Sequence, residues 1–225
     1  LFQQGIFPDK RNPAAKEVKR YVEALHKGHN LLCETGLLTS NHIKQIQAVL
    51  EGNDAGFRTQ SGTTLKTDTG NVVYTPPQEA QEIEVLMQDL EKLINDPSFI
   101  SIDPLIKMAI IHHQFVTIHP FYDGNGRTGR IINVLYLVQQ NLLNIPVLYL
   151  SSYINQNKQQ YYQLLQSVRD DGNWEPWILY MLDAVEITAN ITVTKILAIR
   201  DAMMDYKHHI RDNYNFYSQD LINHL

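Results

Sequence analysis

The sequence has 225 residues, of which 44% are hydrophobic and 19% are charged, a composition typical of a globular chain with one or two domains. Its formal net charge of −5 gives no basis for bulk attraction to nucleic acid or to an anionic membrane. Charged residues interrupt every apolar run before it reaches the roughly 18 residues of a membrane-spanning helix. We therefore expect no membrane or nucleic-acid partner, and at most a small local basic site.

The chain contains a single cysteine, Cys33, which cannot form an internal disulfide. A lone cysteine favours a reducing compartment, and the N-terminal residues lack a signal-peptide pattern. We therefore expect a cytoplasmic protein in which the Cys33 thiol is buried. Residue 1 is Leu rather than Met, so we also expect further sequence upstream of it.

The first predicted helix spans residues 13–27. Asn12 is expected to cap its N-terminus, because a proline follows at the first helical position. Gly28 is expected to end it, since glycine is the common C-terminal stop of helices.

A second helix and a small hairpin are predicted next. Thr39 or Ser40 caps the second helix, which carries one apolar stripe and ends at Gly52. Residues 52–77 are rich in glycine and threonine and contain one short β-branched segment, 72–74. This composition indicates a loop with a small hairpin.

Three helices follow in the central part of the chain. Thr75 and Pro76 are expected to open an amphipathic helix, and Asp103 caps the next one. That helix is apolar nearly all round, as is the segment 131–138, so both are expected to be central and buried. A polar loop lies between them and should be held rigidly.

Two further helices are predicted in the C-terminal part. One runs from about residue 157 to 168, and a long one from 174 to about 210. The tail at 211–225 has mixed signals, and we expect another small domain to follow it.

The polar loop, residues 119–130, reads His-Pro-Phe-Tyr-Asp-Gly-Asn-Gly-Arg-Thr-Gly-Arg. It leads into a helix, whose first N–H groups are unpaired and attract anions. Gly124 and Gly126 allow the backbone to approach a ligand closely. Arg127 and Arg130, three residues apart, can reach one face and bind successive phosphates. The pattern predicts a phosphate site.

Two more residues of the loop point to transfer chemistry beside that phosphate. Asp123 offers a hard oxygen ligand to Mg²⁺. His119 can be a neutral base near physiological pH and accept the proton of an attacking hydroxyl. Asn125 can orient a phosphate oxygen without adding charge. Taken singly, each residue is more often structural, so the interpretation depends on their combination.

Other sites are less consistent with the sequence. His112 and His113 could suggest a zinc cluster with His119, but adjacent histidines on a helix point about 100° apart. A Walker loop with its Lys-Ser/Thr pair is missing, so P-loop chemistry is not indicated.

The loop resembles the signature of the Fic (filamentation induced by cAMP) family, His-x-Phe-x-(Asp/Glu)-Gly-Asn-Gly-Arg-x-x-Arg. All eight fixed positions are present: His119, Phe121, Asp123, Gly124, Asn125, Gly126, Arg127 and Arg130. The resemblance implies an all-α, Fic-type helical bundle with a small β-hairpin flap. It divides the chain into an N-terminal helical part (1–65), a core (66–190) and a C-terminal extension (191–225).

The resemblance also implies an activity, Mg-dependent transfer of AMP from ATP to a Ser, Thr or Tyr hydroxyl of a target protein. His119 would deprotonate the hydroxyl, and Asp123 would bind Mg²⁺. The nucleotide-binding residues would be Gly124, Asn125, Gly126, Arg127, Thr128, Gly129, Arg130 and Tyr162. Phe121 would seat the loop in the core.

The hairpin at Val72, Val73 and Tyr74 resembles the family's flap, which binds an extended target segment by strand addition. Of two adjacent tyrosines, Tyr161 lies on an apolar stripe and is expected in the core, so Tyr162 is the candidate for nucleotide contact. Self-modification and a homodimer are left open.

Many family members carry an inhibitory helix with the pattern Ser/Thr-x-x-x-Glu-(Gly/Asn). Only Thr75 and Glu79 have the required spacing, and Ala80 follows where glycine or asparagine is needed. We therefore expect such a motif upstream of Leu1. Two alternative functions remain open: another phosphate-ester transfer (of UMP or phosphocholine, or removal of AMP), and a nucleotide-sensing regulatory protein without catalysis.

Overall fold

The computed structural model of the protein describes residues 13–66 and 69–213. Within them the chain forms eight α-helices and one two-stranded antiparallel sheet. In chain order the elements are α1 (Pro13–Thr35), α2 (Ser40–Glu51), β1 (Leu65–Lys66), β2 (Val72–Tyr74), α3 (Ala80–Asn95), α4 (Pro104–Ile118), α5 (Asn125–Gln139), α6 (Leu150–Gln156), α7 (Lys158–Asp171) and α8 (Trp174–Asn213). The all-α class with a small hairpin is confirmed. The predicted cap at Asn12 and the tail at 214–225 lie outside the described residues.

Helices α4 and α5 form the centre of the fold, as their apolar sequences predict. They pack against each other, with α1 and α2 on α5, and with α3 and α8 on α4. Asp103 caps α4 by accepting a hydrogen bond from the N–H of Leu105 at 2.8 Å. Trp177 of α8 is fully buried and donates its indole N–H to the Ala109 carbonyl of α4 at 2.9 Å. The site loop therefore emerges from the most enclosed part of the molecule.

The prediction that Gly28 ends the first helix is wrong, because α1 continues to Thr35. Gly28 is buried where α1 meets α2 and α5. A Cβ built on it would lie 2.5 Å from Leu135 Cδ1 and 2.8 Å from Ile46 Cδ1. The glycine is therefore needed for close helix packing rather than for a left-handed turn.

The caps of α2 agree with the prediction. Thr39 is the N-cap, and its hydroxyl accepts a hydrogen bond from the N–H of His42 at 3.2 Å. Gly52 is the C-cap in the left-handed conformation, with φ 70°. The end of α2 is thereby fixed at Glu51, and this position matters for the site described below.

Three other local predictions are corrected. Cys33 is exposed rather than buried, with Sγ 3.7 Å from Nε2 of His29. The third helix begins at Ala80 rather than at Thr75, because Gln78 ties the intervening residues to the preceding loop through the Thr63 carbonyl and the Gly62 N–H. The short helix α6 was not predicted at all.

The predicted hairpin is present. Strands β1 and β2 pair antiparallel, with Leu65 opposite Tyr74 and Lys66 opposite Val72. Val72 and Val73 expose 55% and 44% of their surface. Two short strands are marginal by themselves, so the hairpin depends on contacts that it makes with the rest of the protein.

Helix α8 runs without interruption through residue 190, where the core was predicted to end. Its first half packs on α4, α6 and α7, whereas most of its side chains beyond residue 190 are exposed.

Across the described ranges, none of the helices combines the length and apolar character needed to span a bilayer.

The close packing at Gly28 gives a test of the corrected fold. Gly28→Ala should destabilise the protein by about 1–3 kcal/mol, because overpacking outweighs the better helix propensity of alanine. Thermal or urea unfolding measures the change. Asn30→Ala, an exposed substitution on the same helix, is the control and should change stability little. Equal or higher stability of Gly28→Ala would contradict the packing role.

Candidate active site

The loop between α4 and α5 is closed by the side chain of Asn125. Its amide donates to the Phe121 carbonyl at 2.8 Å and accepts from the Phe121 N–H at 2.9 Å. Phe121 itself is fully buried between Phe57 and Phe115, with ring centroids 5.2 and 6.3 Å away. Phe121 thus seats the loop in the core, and the Asn125 amide lies within the loop rather than free to orient a phosphate.

His119 is the C-cap of α4 and adopts the left-handed conformation, with φ 51° and ψ 57°. Burial lowers its pKa to about 4, the carbonyl of Val116 opposes this shift, and the positive charges of Arg58 and Arg169 lower the pKa further. The ring is therefore neutral at physiological pH. A neutral imidazole can accept a proton, which is the state that a general base requires.

The N-terminus of α5 has the geometry on which the predicted anion site depends. Gly124 is the N-cap, with φ 80°, and helix geometry begins at Asn125. The guanidinium of Arg130 lies beside the same turn, since a Cβ built on Gly126 would be 3.4 Å from Arg130 Nη1. Arg130 Nε also donates to Ser151 Oγ at 2.7 Å. A positive helix end and a guanidinium thus lie together.

Arg127 is bound by carboxylates of the protein itself. Its guanidinium lies 2.8 Å from Glu17, 2.9 Å from Glu51 and 3.8 Å from Asp123. Glu17 is 58% exposed, whereas Glu51 is only 13% exposed. Burial raises the pKa of Glu51, and Arg127 opposes that shift. One of the two arginines predicted to bind phosphate, Arg127, is therefore already paired with carboxylates of the protein.

Glu51 also covers the N-cap of α5, since a Cβ built on Gly124 would lie 2.4 Å from its Oε1. The sequence reasoning missed this residue. Gly52 follows it, as in the second half of the inhibitory pattern, but Gln47 stands where Ser or Thr is required. Gln47 is buried and donates to the Asp123 carbonyl at 3.2 Å. The described chain therefore already places a glutamate at the site, whatever precedes residue 1.

Asp123 is exposed beside the helix N-terminus, and its carboxylate accepts from the Gly124 N–H at 2.6 Å. Its side chain is 80% exposed. Within the described parts of the chain no three His, Cys, Asp or Glu side chains cluster as a metal site. One open carboxylate fits Mg²⁺, which commonly takes one or two carboxylates and completes its shell with phosphate and water oxygens.

Two candidate nucleotide-binding residues face the core instead. Thr128 is fully buried, and its hydroxyl has no hydrogen-bond partner among the residues that the structure describes. Gly129 is also buried, and a Cβ there would lie 3.1 Å from Phe115 and 3.3 Å from His112. Both residues pack α5 onto α4, so neither offers a side chain at the helix N-terminus.

The neighbouring histidines belong to the core as well. His112 contacts Tyr161 Oη at 2.9 Å and the Asn133 amide at 3.0 Å. His113 contacts the Leu165 carbonyl at 3.3 Å. Burial lowers their pKa values to about 3 and about 4. Both rings therefore serve as neutral hydrogen-bonding groups beneath the site.

The two adjacent tyrosines of α7 differ in burial, as predicted. Tyr161 is 5% exposed and lies in the aromatic core with Trp177. Tyr162 is 56% exposed, with Lys158 Nζ 5.9 Å from its ring centroid. An exposed ring near a lysine is compatible with nucleotide stacking, and that role of Tyr162 stays a prediction.

Two arginines that the sequence reasoning missed join the flap to the loop. Arg58 is fully buried. Its guanidinium donates hydrogen bonds to the carbonyl of His119 and to the carbonyl of Pro77, which follows β2 in the chain. Arg169 stacks on the ring of Tyr74 at 3.9 Å. A sequence signal was available only for Arg58, as a charged residue directly after a phenylalanine in a glycine-rich segment.

The chain is similar in sequence to known proteins. Residues 37–137 match the sequence model of the Fic/DOC family. The chain is similar to "Protein adenylyltransferase Fic" of Drosophila mojavensis, at 30% identity over 110 residues, which are 49% of this chain and 20% of that protein. It is 32% identical over 110 residues to "Protein adenylyltransferase fic-1" of Caenorhabditis elegans, covering 48% and 20%. The matched part thus spans about a fifth of these relatives.

Solved structures give the same result for the fold. Fic-1 (aa134–508) from C. elegans aligns with a TM-score of 0.64 at 25% identity, over 86% of this chain and 55% of that one. A Fic family protein from Desulfovibrio desulfuricans G20 aligns with a TM-score of 0.69 at 21% identity, over 85% and 56%.

Fold and site together define a helical protein with a neutral histidine beside the N-terminus of a buried helix. The complete signature lies between α4 and α5, within residues 37–137, which match the Fic/DOC family. The chain is thus similar to Fic proteins in the sequence of this segment and in its fold. Relatives in that family are named adenylyltransferases.

Two buried histidines and the half-buried His119 predict acid sensitivity. Above pH 6.5 His112, His113 and His119 are neutral in both folded and unfolded chains; below it the unfolded rings gain protons that the folded rings, with pKa values near 3 to 4, do not. The free energy of unfolding should therefore fall as pH drops from 6.5 toward 4, with uptake of up to three protons. Urea unfolding at pH 7, 6 and 5 measures this slope. His113→Gln should reduce it by about one proton and Gln114→Ala should not; a flat profile would refute the assignment.

Proposed function

We propose that this Fic domain transfers AMP from ATP to a hydroxyl group of a protein side chain and releases pyrophosphate. The observation that carries the proposal is the complete signature with a neutral His119 beside the N-terminus of α5. The names of the relatives support the same reaction class. The proposed location is the cytoplasm, and the proposed donor is ATP.

In this reaction the oxygen of the acceptor hydroxyl forms a bond to the α-phosphorus, and His119 accepts the proton of that hydroxyl. The bond from the α-phosphorus to the bridging oxygen breaks, and pyrophosphate leaves with the electron pair. The N–H groups at the start of α5, with Gly124 and Gly126, hold the phosphate oxygens. Arg130 and Arg127 align the leaving group once Arg127 exchanges its protein carboxylates for phosphate.

Asp123 would hold the Mg²⁺ that accompanies ATP. When bound, the ion neutralises phosphate charge and orients the α- and β-phosphates. Tyr162 is proposed to contact the nucleotide. The exposed edge at Val72 and Val73 is proposed to bind an extended target segment by strand addition, with Tyr74 anchoring the flap.

Loss of the base tests the reaction. His119→Asn should lower AMP transfer by about 100- to 10,000-fold, the usual contribution of a general base. Asparagine is chosen because it tolerates the left-handed conformation of residue 119, so folding should be retained. Mass spectrometry after incubation with Mg-ATP measures the added AMP on the protein or on a lysate target. Competition with UTP and CDP-choline separates AMP transfer from the alternative donors.

Transfer by His119→Asn at the wild-type rate would reject His119 as the base. Tight ATP binding without any turnover by the wild-type protein would instead favour the nucleotide-sensing alternative. The far-ultraviolet circular dichroism of the variant shows whether the helical fold is retained.

The two glutamates on Arg127 give a matched pair of variants. Glu51→Gln should strengthen ATP binding by about tenfold, because it removes a nearly buried charge from the phosphate site. Glu17→Gln should change it by less than about threefold, since exposed ion pairs contribute little. Calorimetric titration with Mg-ATP measures both affinities. Equal effects of the two substitutions, or weaker binding by Glu51→Gln, would show that Glu51 does not compete with the nucleotide.

A further inference from the structure

Arg58 is a buried arginine, and no carboxylate of the described residues pairs with it. Its side chain has no exposed surface, and in the described parts of the chain it forms no ion pair. Arginine is rarely buried completely unless a counter-charge or a set of acceptors satisfies it, because removing the charge from water is costly. The acceptors that hold Arg58 therefore indicate what the residue does.

All of these acceptors are main-chain carbonyls around the site. Nε donates to His119 at 2.8 Å, and Nη2 donates to Pro77 and, at 3.4 Å, to Ile118. The N–H of Arg58 also donates to the Pro120 carbonyl at 2.8 Å. One residue thus connects three consecutive residues, at the junction of α4 and the site loop, with the segment that leaves β2.

A second arginine makes the same connection from another helix. Arg169 of α7 stacks on Tyr74, the last residue of β2, at 3.9 Å. Its Nε donates to Thr117 Oγ1 at 3.1 Å, two residues before His119. The flap and the end of α4 are therefore tied at two independent points, and neither arginine belongs to the family signature.

We propose that Arg58 is a positioning residue that fixes the root of the flap to the main chain of His119, so that the flap and the base keep one geometry. Its planar fork can bond two segments at once, which a lysine ammonium on a flexible stem cannot reproduce. The left-handed cap at His119, uncommon for a non-glycine residue, is held by the same hydrogen bonds. The inference rests on the proposed function, since it assigns the flap to the acceptor segment.

The binding of ATP and the positioning of the acceptor should therefore depend on Arg58 to different extents. ATP is held by α5, with which Arg58 makes no described hydrogen bond, so its affinity should not depend on Arg58. The acceptor is held by the flap, and its hydroxyl must meet His119. A shift of about 1 Å in such a geometry can cost on the order of 100-fold in rate.

The test compares Arg58→Lys with Leu90→Ala, a destabilising control at a buried residue of α3 outside the loop and the flap. The acceptor probe is a synthetic seven-residue peptide with a central threonine flanked by valines. We expect Arg58→Lys to lower kcat/KM for the peptide by about 100-fold while calorimetric ATP affinity stays within about twofold. Leu90→Ala, measured at a temperature where it is folded, should lower kcat/KM much less.

Hydrogen exchange measures the tie without any catalysis. Amides of residues 71–80 should exchange at least about tenfold faster in Arg58→Lys than in the wild type, because the flap opens locally. If Arg58→Lys does not fold, Tyr74→Leu removes only the stacking on Arg169 and should raise exchange in the same segment.

Wild-type exchange rates in the flap of the folded variant would overturn the inference, as would a loss of transfer no larger than that of Leu90→Ala. If the wild-type protein transfers no AMP, the proposed function fails, whereas faster flap exchange in Arg58→Lys would still support the tie between flap and loop.

Discussion

The structure of the site depends on two hydrogen bonds between one side chain and one residue of main chain. The Asn125 amide satisfies both the N–H and the carbonyl of Phe121. Because Asn125 is also the first residue of α5, these bonds attach the loop to the helix whose N-terminus attracts the anion. Left unpaired inside the core, either polar group would cost about 1–3 kcal/mol, so the closed loop is strongly favoured. The positions of His119 and of the anion site are therefore fixed relative to each other before any ligand binds.

Charged side chains lie on two sides of this loop. On the side of α4, the buried Arg58 and the half-buried Arg169 lie near His119 and help to keep its ring neutral. On the side of α5, Glu17, Glu51 and Asp123 surround Arg127. A basic site can thus exist in a chain of net charge −5 without producing a basic surface. The site is positive where a phosphate would lie and is balanced locally elsewhere, which limits nonspecific attraction to other polyanions.

The sequence was sufficient for the features that depend on local pattern. The apolar helices α4 and α5, the cap at Asp103, the hairpin and the His119 to Arg130 loop all follow from periodicity, turn residues and the signature. It was insufficient where a residue's role depends on a distant partner. Gly28 resembles a helix stop in sequence, yet it serves a three-helix contact with Ile46 and Leu135.

The same limit applies to the site. Glu51 was passed over because Gln47 breaks the expected pattern, although folding brings its carboxylate 2.9 Å from Arg127, 76 positions later in the chain. Arg58 lies outside the signature, and only its carbonyl partners at Pro77 and His119 reveal its function. Conversely, the signature positions around Thr128 and Gly129 appear to be ligand sites in sequence, but helical geometry turns them toward α4. Side-chain direction on a helix cannot be inferred from proximity in a motif alone.

The carboxylate of Glu51 has one more consequence, for how binding measurements should be interpreted. Without a nucleotide, the carboxylate of Glu51 already lies against Arg127 and the helix N-terminus. The protein's own side chain therefore takes the place of an anionic ligand. Entry of any phosphate compound is then an exchange of one anion for another, and its apparent affinity is its intrinsic affinity reduced by the free energy of releasing Glu51. Added salt weakens the old and the new ion pair together. Nucleotide binding should therefore depend less on ionic strength than binding to an open pair of arginines would.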